Sequence, residues 1–196
     1  MLMKVWFKQM GAGLRVLLVF TVLLGVVYPL GVWAVSRIPG LEARAEGSVV
    51  TVDGKAVGSS LIGIDPVPAD PARDPYFHTR PSATGDPSTS GGSNLGGFSD
   101  KLVQQVQERK AAIAQREGVS PDAVPADAVT ASGSGVDPTI SVAYAELQVP
   151  RVARVTGLPE AQVLELVRQH TTGYGIGVPG VNVLELNLAV AAAEAH

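Results

Sequence analysis

The sequence predicts a mixed α/β protein of the α+β kind, with one N-terminal transmembrane helix followed by a single soluble domain. Three observations predict it. Residues 16–35 carry no charge, and residues 48–64 alternate β-branched with small or polar residues about Asp53-Gly54. From residue 99 onward, apolar residues recur at helical spacing between Ser, Asp and Asn caps and Gly or Pro stops. The 196 residues leave room for a span and one domain of about 150 residues.

The run VLLVFTVLLGVVYPLGVWAV, Val16 to Val35, is 20 residues long, and at about 1.5 Å per residue it matches the roughly 30 Å bilayer core. Thirteen of the 20 are Leu, Val or Phe, which favour insertion by on the order of 5 kcal/mol and outweigh Gly25, Pro29 and Gly31. Lys4, Lys8 and Arg15 precede the run, whereas Arg37 and Arg44 follow it beside Glu42 and Glu46. Because positive residues stay inside, residues 1–15 are expected in the cytoplasm, 16–36 in the membrane and 37–196 outside the cytoplasm. Tyr28 and Trp33 suit the outer interface. A cleaved signal peptide is the competing reading, but its apolar centre would run only about 7–15 residues. The small-x-small site Ala43-Arg44-Ala45 also lies well past the apolar block. Gly25 and Gly31 are expected to let a partner helix pack closely.

After Pro39-Gly40, the Asp53-Gly54 pair predicts a tight hairpin with two or three short strands. The Pro- and Asp-rich stretch at 65–75 predicts a rigid loop without a ladder. Residues 79–97 bury almost nothing and read as a surface loop, either flexible or ordered against a partner. Ser99 caps an expected helix to Glu117, with Leu102, Val103, Val106 and Ile113 on one face and Gly118 as its stop. Ser120-Pro121 and Asp137-Pro138 mark two further helical starts, and 128–132 suits a short strand. Residues 151–157 and 159–170 read as a helical pair, and 173–177 as a turn. Asn182 and Glu185 have capping-box spacing, opening a last helix through Leu184, Leu188 and Ala191.

With no cysteine, disulfides, thiol nucleophiles and thiolate metal sites are excluded. The net charge of −3 is split: beyond residue 40 there are 11 basic and 18 acidic residues, a net of −7. Such a domain does not suit nucleic acid. His78 and His170 are too few for a convincing metal site, and Gly91-Gly92-Ser93-Asn94-Leu95 lacks the final glycine of a hydrolase elbow. A hydrolase using Ser93 or His170 is therefore a remote alternative, and no catalytic residue is assigned.

Several stretches, taken in order, resemble one known family. They are the basic start and single span, Gly58-Ser59-Ser60-Leu61-Ile62-Gly63, residues 76–83 (YFHTRPSA), 90–96 (SGGSNLG), 127–135 (DAVTASGSG), 148–153 (QVPRVA) and 181–188 (VNVLELNL). Together they resemble the C subunit (KdpC) of the Kdp-type potassium-transporting P-type ATPases, across nearly the whole chain. The chain departs from that pattern at Ile64-Asp65, where a glutamine is usual, and at Thr139, where a histidine is common.

The resemblance implies a non-catalytic subunit of a pump in which a channel-like subunit selects potassium and a P-type ATPase subunit hydrolyses ATP. ATP, Mg and potassium then belong to the complex. The family's proposed role, a catalytic chaperone that raises ATP affinity, implies nucleotide binding at Gln148. An extracytoplasmic domain cannot meet cytoplasmic ATP, however, so the topology favours a cap on the outer face of the channel-like subunit. Arg80, Pro81, Ser82, Ser90, Gly91, Gly92, Ser93 and Asn94 are the expected partner contacts.

Overall fold

The computed structural model describes residues 2–173 and 177–195, and it divides into two compact units, Met1–Ser48 and Val49–His196. In the first unit, α1 (Leu2–Val22) and α2 (Tyr28–Ser36) are joined by a π-helical turn over Leu23–Val27. The cause is Pro29, which has no N–H to donate and whose ring crowds the preceding turn. The Tyr28 N–H bonds to the carbonyl of Leu23, five residues back, absorbing the mismatch as a bulge rather than a break. Val5–Ser36 forms one continuous rod of 32 residues, long and apolar enough to cross a membrane. A short α3 (Glu42–Ala45) follows it.

In the second unit the expected hairpin forms. Strands β1 (Val49–Val52) and β2 (Lys55–Ser59) pair antiparallel, with Asp53 at φ 50° and Gly54 at φ 74° supplying the two positive φ values of a twisted two-residue turn. Residues 60–99 then contain no strand and only one 3₁₀ turn, Pro71–Arg73, capped by Asp70. Their backbone groups must find partners elsewhere, and that requirement builds the site.

Helix α4 (Asp100–Glu117) ends at Gly118 in the left-handed conformation, as the glycine predicts. Ser99 sits at its N-cap but makes no side-chain cap bond, and Val103, expected on the inner face, is exposed. Ser120-Pro121 opens only a 3₁₀ turn, Pro121–Ala123. The strand expected at 128–132 is instead the end of a helical turn, α5 (Ala126–Val129), which buries Ala128 and Val129.

The helix expected after Asp137-Pro138 is a strand, β3 (Thr139–Ser141). Asp137 does make the local bond, accepting from the Thr139 N–H at 2.9 Å, but Thr139 and Ile140 then pair with Asn182 and Val181. A distant partner overrode a local cap. The three-stranded sheet has the order β3-β5-β4, with β4 at Thr171–Thr172 and β5 at Gly180–Asn182. Most of the turn expected at 173–177 lies outside the described residues.

The helix expected from Arg151 begins nine residues earlier: α6 spans Val142–Thr156 and runs through Pro150. Pro150 and Glu146, one turn before it, are both exposed, so water reaches the carbonyl that loses its amide partner. Gly157 and Pro159 separate α6 from α7 (Glu160–Gln169) as anticipated. Asn182 caps α8 (Val183–Glu194) through the Glu185 N–H at 3.2 Å, but the buried face is Val183, Leu186 and Val190 rather than Leu184, Leu188 and Ala191. The core between these helices and the sheet is valine-rich, with Phe77, Ile140, Tyr144, Val152, Val163, Val167 and Val181 at its centre.

Candidate functional site

Segment 74–79 crosses this core in an extended conformation without a neighbouring strand, and side chains stand in for the missing ladder. Gln148 on α6 holds His78: its Oε1 accepts from the His78 N–H at 2.8 Å, and its Nε2 donates to the His78 carbonyl at 3.4 Å. Asn187 on α8 holds Phe77 the same way, at 2.7 and 2.9 Å.

Arg151, one turn after Gln148, completes the support. Its Nε bonds both carboxylate oxygens of Glu117 at 3.0–3.2 Å, and Nη1 donates to the Asp74 carbonyl and carboxylate at 2.7 and 3.2 Å. Nη2 donates to Tyr76 O at 2.9 Å and Gln148 Oε1 at 3.2 Å, so the guanidinium fork is fully used. Gln148 and Arg151 are 0% and 3% exposed, and each amide atom of Gln148 is engaged.

The His78 ring lies between two carboxylates, Nε2 at 2.6 Å from Asp74 and Nδ1 at 3.2 Å from Asp65. Burial alone raises both aspartates, but the bonds and charge from His78 outweigh it. With help from the Tyr76 N–H and Arg151 at Asp74, and from Thr79 at Asp65, both carboxyls stay below the usual range. Asp65 thus ties segment 63–65 to His78 and Thr79.

The clamp delivers Arg80, Pro81 and Ser82 to the rim of a cleft of about 370 Å³, whose other walls include Asp65, Arg109, Arg116, Asp137 and Tyr144. Arg80 pairs with Asp137 at 3.1 Å, while its Nε is buried without a partner among the described residues. Arg116 bridges Glu117 and the Tyr144 hydroxyl, whose proton burial holds in place against the pull of Arg116.

The other expected contacts are reached through a second close approach. The Gly91 N–H and Ser90 hydroxyl both bond the Ser134 carbonyl, at 2.7 and 3.0 Å. A Cβ on Gly135 would lie 2.5 Å from Gly91 O, and one on Gly92 would lie 3.1 Å from Gly133 O, so both glycine stretches are needed for the fit. Asn94, at φ 53°, turns the chain onward. The 79–97 loop is therefore ordered by its own bonds, including Thr84 Oγ1 to Thr89 O at 3.0 Å. Ser93 accepts only from Leu95 N, and His170 bonds the Leu166 carbonyl, so no nucleophile–base pair forms between them.

The sequence pointed to Gln148 and the 80–94 residues but missed Asp65, Asp74, Glu117, Arg151 and Asn187. The one available signal was a set of ionisable or amide residues on otherwise apolar helical faces: Gln148 and Arg151 beside Val149 and Val152, and Asn187 between Leu186 and Leu188.

The family model described as the c chain of the K+-transporting ATPase matches residues 10–192. A relative from Kineococcus radiotolerans is 50% identical over 95% of this chain and 94% of its own length. One from Streptomyces coelicolor is 46% identical over 91% and 90%, and one from Mycobacterium bovis 44% identical over 93% and 97%. Each is named a potassium-transporting ATPase KdpC subunit. With that agreement spanning the anchor, the clamp and the cleft alike, the chain belongs to the KdpC family, the c chains of the K+-transporting ATPase.

Proposed function

We propose that this protein is an accessory, non-catalytic subunit of an ATP-driven potassium uptake complex, held in the membrane by its single span. Its N-terminus is cytoplasmic and its domain sits outside, capping the channel-like subunit. The P-type ATPase subunit is its second partner, and any gain in ATP affinity passes through the complex rather than by direct contact. The observation that carries this reading is the side-chain clamp on Phe77 and His78, in which Gln148, Asn187 and Arg151 fix one rim-facing segment. A rigid presented loop suits docking, because its ordering entropy is lost on folding rather than on binding.

Direct nucleotide binding by Gln148 is the other reading. It would require the amide to leave both His78 and Arg151 and the residue to emerge from complete burial. Deleting this chain alone tests the proposal: complex assembly and potassium-stimulated ATPase activity should both fall, and unchanged values would refute it. Because the chain has no cysteine, Ser88→Cys on the exposed loop reports topology cleanly. Labelling by an impermeant reagent from outside intact cells is expected.

A further inference from the structure

Arg109 and Ser82 line the main cleft and also a smaller neighbour of about 180 Å³. Lys101, Gln105 and Arg109, four residues apart along one face of α4, form one wall, and Ser82 and Ser93 contribute to the facing loop. No carboxylate lines this cleft. Among the described residues, Lys101 has no ion-pair partner, and Arg109 bonds only the Val129 carbonyl, at 3.0 Å. The Ser93 Oγ accepts a single long bond from Leu95 N, which leaves its proton free to donate. In the main cleft, by contrast, Arg80 meets Asp137 and His78 meets Asp65. Beyond residue 40 the chain carries 18 acidic and 11 basic residues, so two uncompensated cations at one hollow run against the surrounding charge.

We propose that the smaller cleft receives one carboxylate, the side chain of an Asp or Glu on a loop of a partner subunit. Arg109 offers a planar fork, Lys101 a mobile point charge, and Ser93 and Gln105 further donors. The volume admits one acidic side chain. A phosphate dianion would meet the net negative field of the domain with only two cations to offset it. This inference rests on the accessory-subunit reading and names the chemistry of the contact.

The test uses the full chain within the assembled complex in detergent. First, the unaltered chain must co-purify with its partners; if it does not, the accessory reading fails and this proposal with it. Given co-purification, Lys101→Glu should dissociate about tenfold more readily as salt rises, with the melting temperature of the free chain unchanged. Lys101 makes no internal bond, so that variant folds; Arg109→Gln is the second variant, checked by its melting temperature. Retention of both variants at every salt concentration overturns the cleft proposal and leaves the accessory reading standing. Free acetate or phosphate protecting Lys101 from an amine-reactive label, with complex stability of the variants unchanged, identifies a free-ion site and overturns the partner source.

Discussion

Gln148 holds His78 by both its backbone polar groups, 2.8 Å at the N–H and 3.4 Å at the carbonyl, from a position with no solvent exposure. Truncation to Leu preserves apolar volume but strands the His78 groups and one Arg151 donor in the core. A loss of about 3 kcal/mol in urea denaturation is expected. A residue that served only as a nucleotide contact would leave the stability of the nucleotide-free protein unchanged, so the same measurement separates the two roles.

Arg151 pairs with two buried carboxylates, Glu117 and Asp74, so Arg151→Met leaves Glu117 with Arg116 alone and Asp74 with His78 alone. The expected cost is about 3–5 kcal/mol. Arg151→Lys should recover little of it, because an ammonium cannot reach Glu117, Asp74, Tyr76 and Gln148 together. Thermal melting of both variants beside the parent checks this.

The acid limb of stability follows from Asp74 and Asp65, whose carboxyls lie lower in the folded protein than the ordinary value near 3.8. Between the folded and unfolded values the unfolded chain binds more protons, so stability declines as pH falls. The stabilisation is present above about pH 4 and is lost as pH drops through the folded values. Asp74→Asn should flatten the decline below pH 4 in a melting-temperature series, while lowering stability at neutral pH.

Two glycines two positions apart give a controlled comparison: Gly135, at φ 72° and against Gly91 O, and Gly133, which has open space around its Cβ direction. Gly135→Ala should cost about 1–2 kcal/mol from backbone strain alone, and more from displacing the 90–92 stretch. Gly133→Ala should lie within about 0.5 kcal/mol of the parent. Proteolytic nicking between residues 84 and 95 reports whether the loop is released.

For the anchor, Val22→Arg with Leu23→Arg places two charges at the middle of the apolar run, each disfavouring insertion by about 2.5–3.5 kcal/mol. Carbonate extraction of the chain expressed without its partners should shift it from the membrane to the soluble fraction.

Elements encoded within a few residues were legible: the Asp53-Gly54 hairpin, the Gly118 stop, the Asn182 cap and the apolar span. Errors fell where a distant partner decided. Asp137-Pro138 offered the local bond of a helix start, but Gly180–Asn182 turned the next residues into a strand. The helix expected over 151–157 starts earlier, because Pro150 sits on an exposed face where its missing hydrogen bond is cheap enough for α6 to run through it. The expected contact residues 80–82 came out at the cleft rim because their motif includes the clamped segment. The acids and bases behind it were invisible, since their meaning lies in pairings that span dozens of residues.

The amide grip of Asn187 on Phe77 spans 110 positions, and the grip of Gln148 on His78 spans 70. Closing loops of those lengths is slow and entropically late, because long-range contacts form only after local ones. During vectorial synthesis the rim-facing segment emerges well before α6 and α8, and its clamp is complete only once Asn187 on α8 arrives. If partners dock on this segment as proposed, a nascent or truncated chain would present an unfixed loop, and a partner selecting the fixed one would admit only finished subunits.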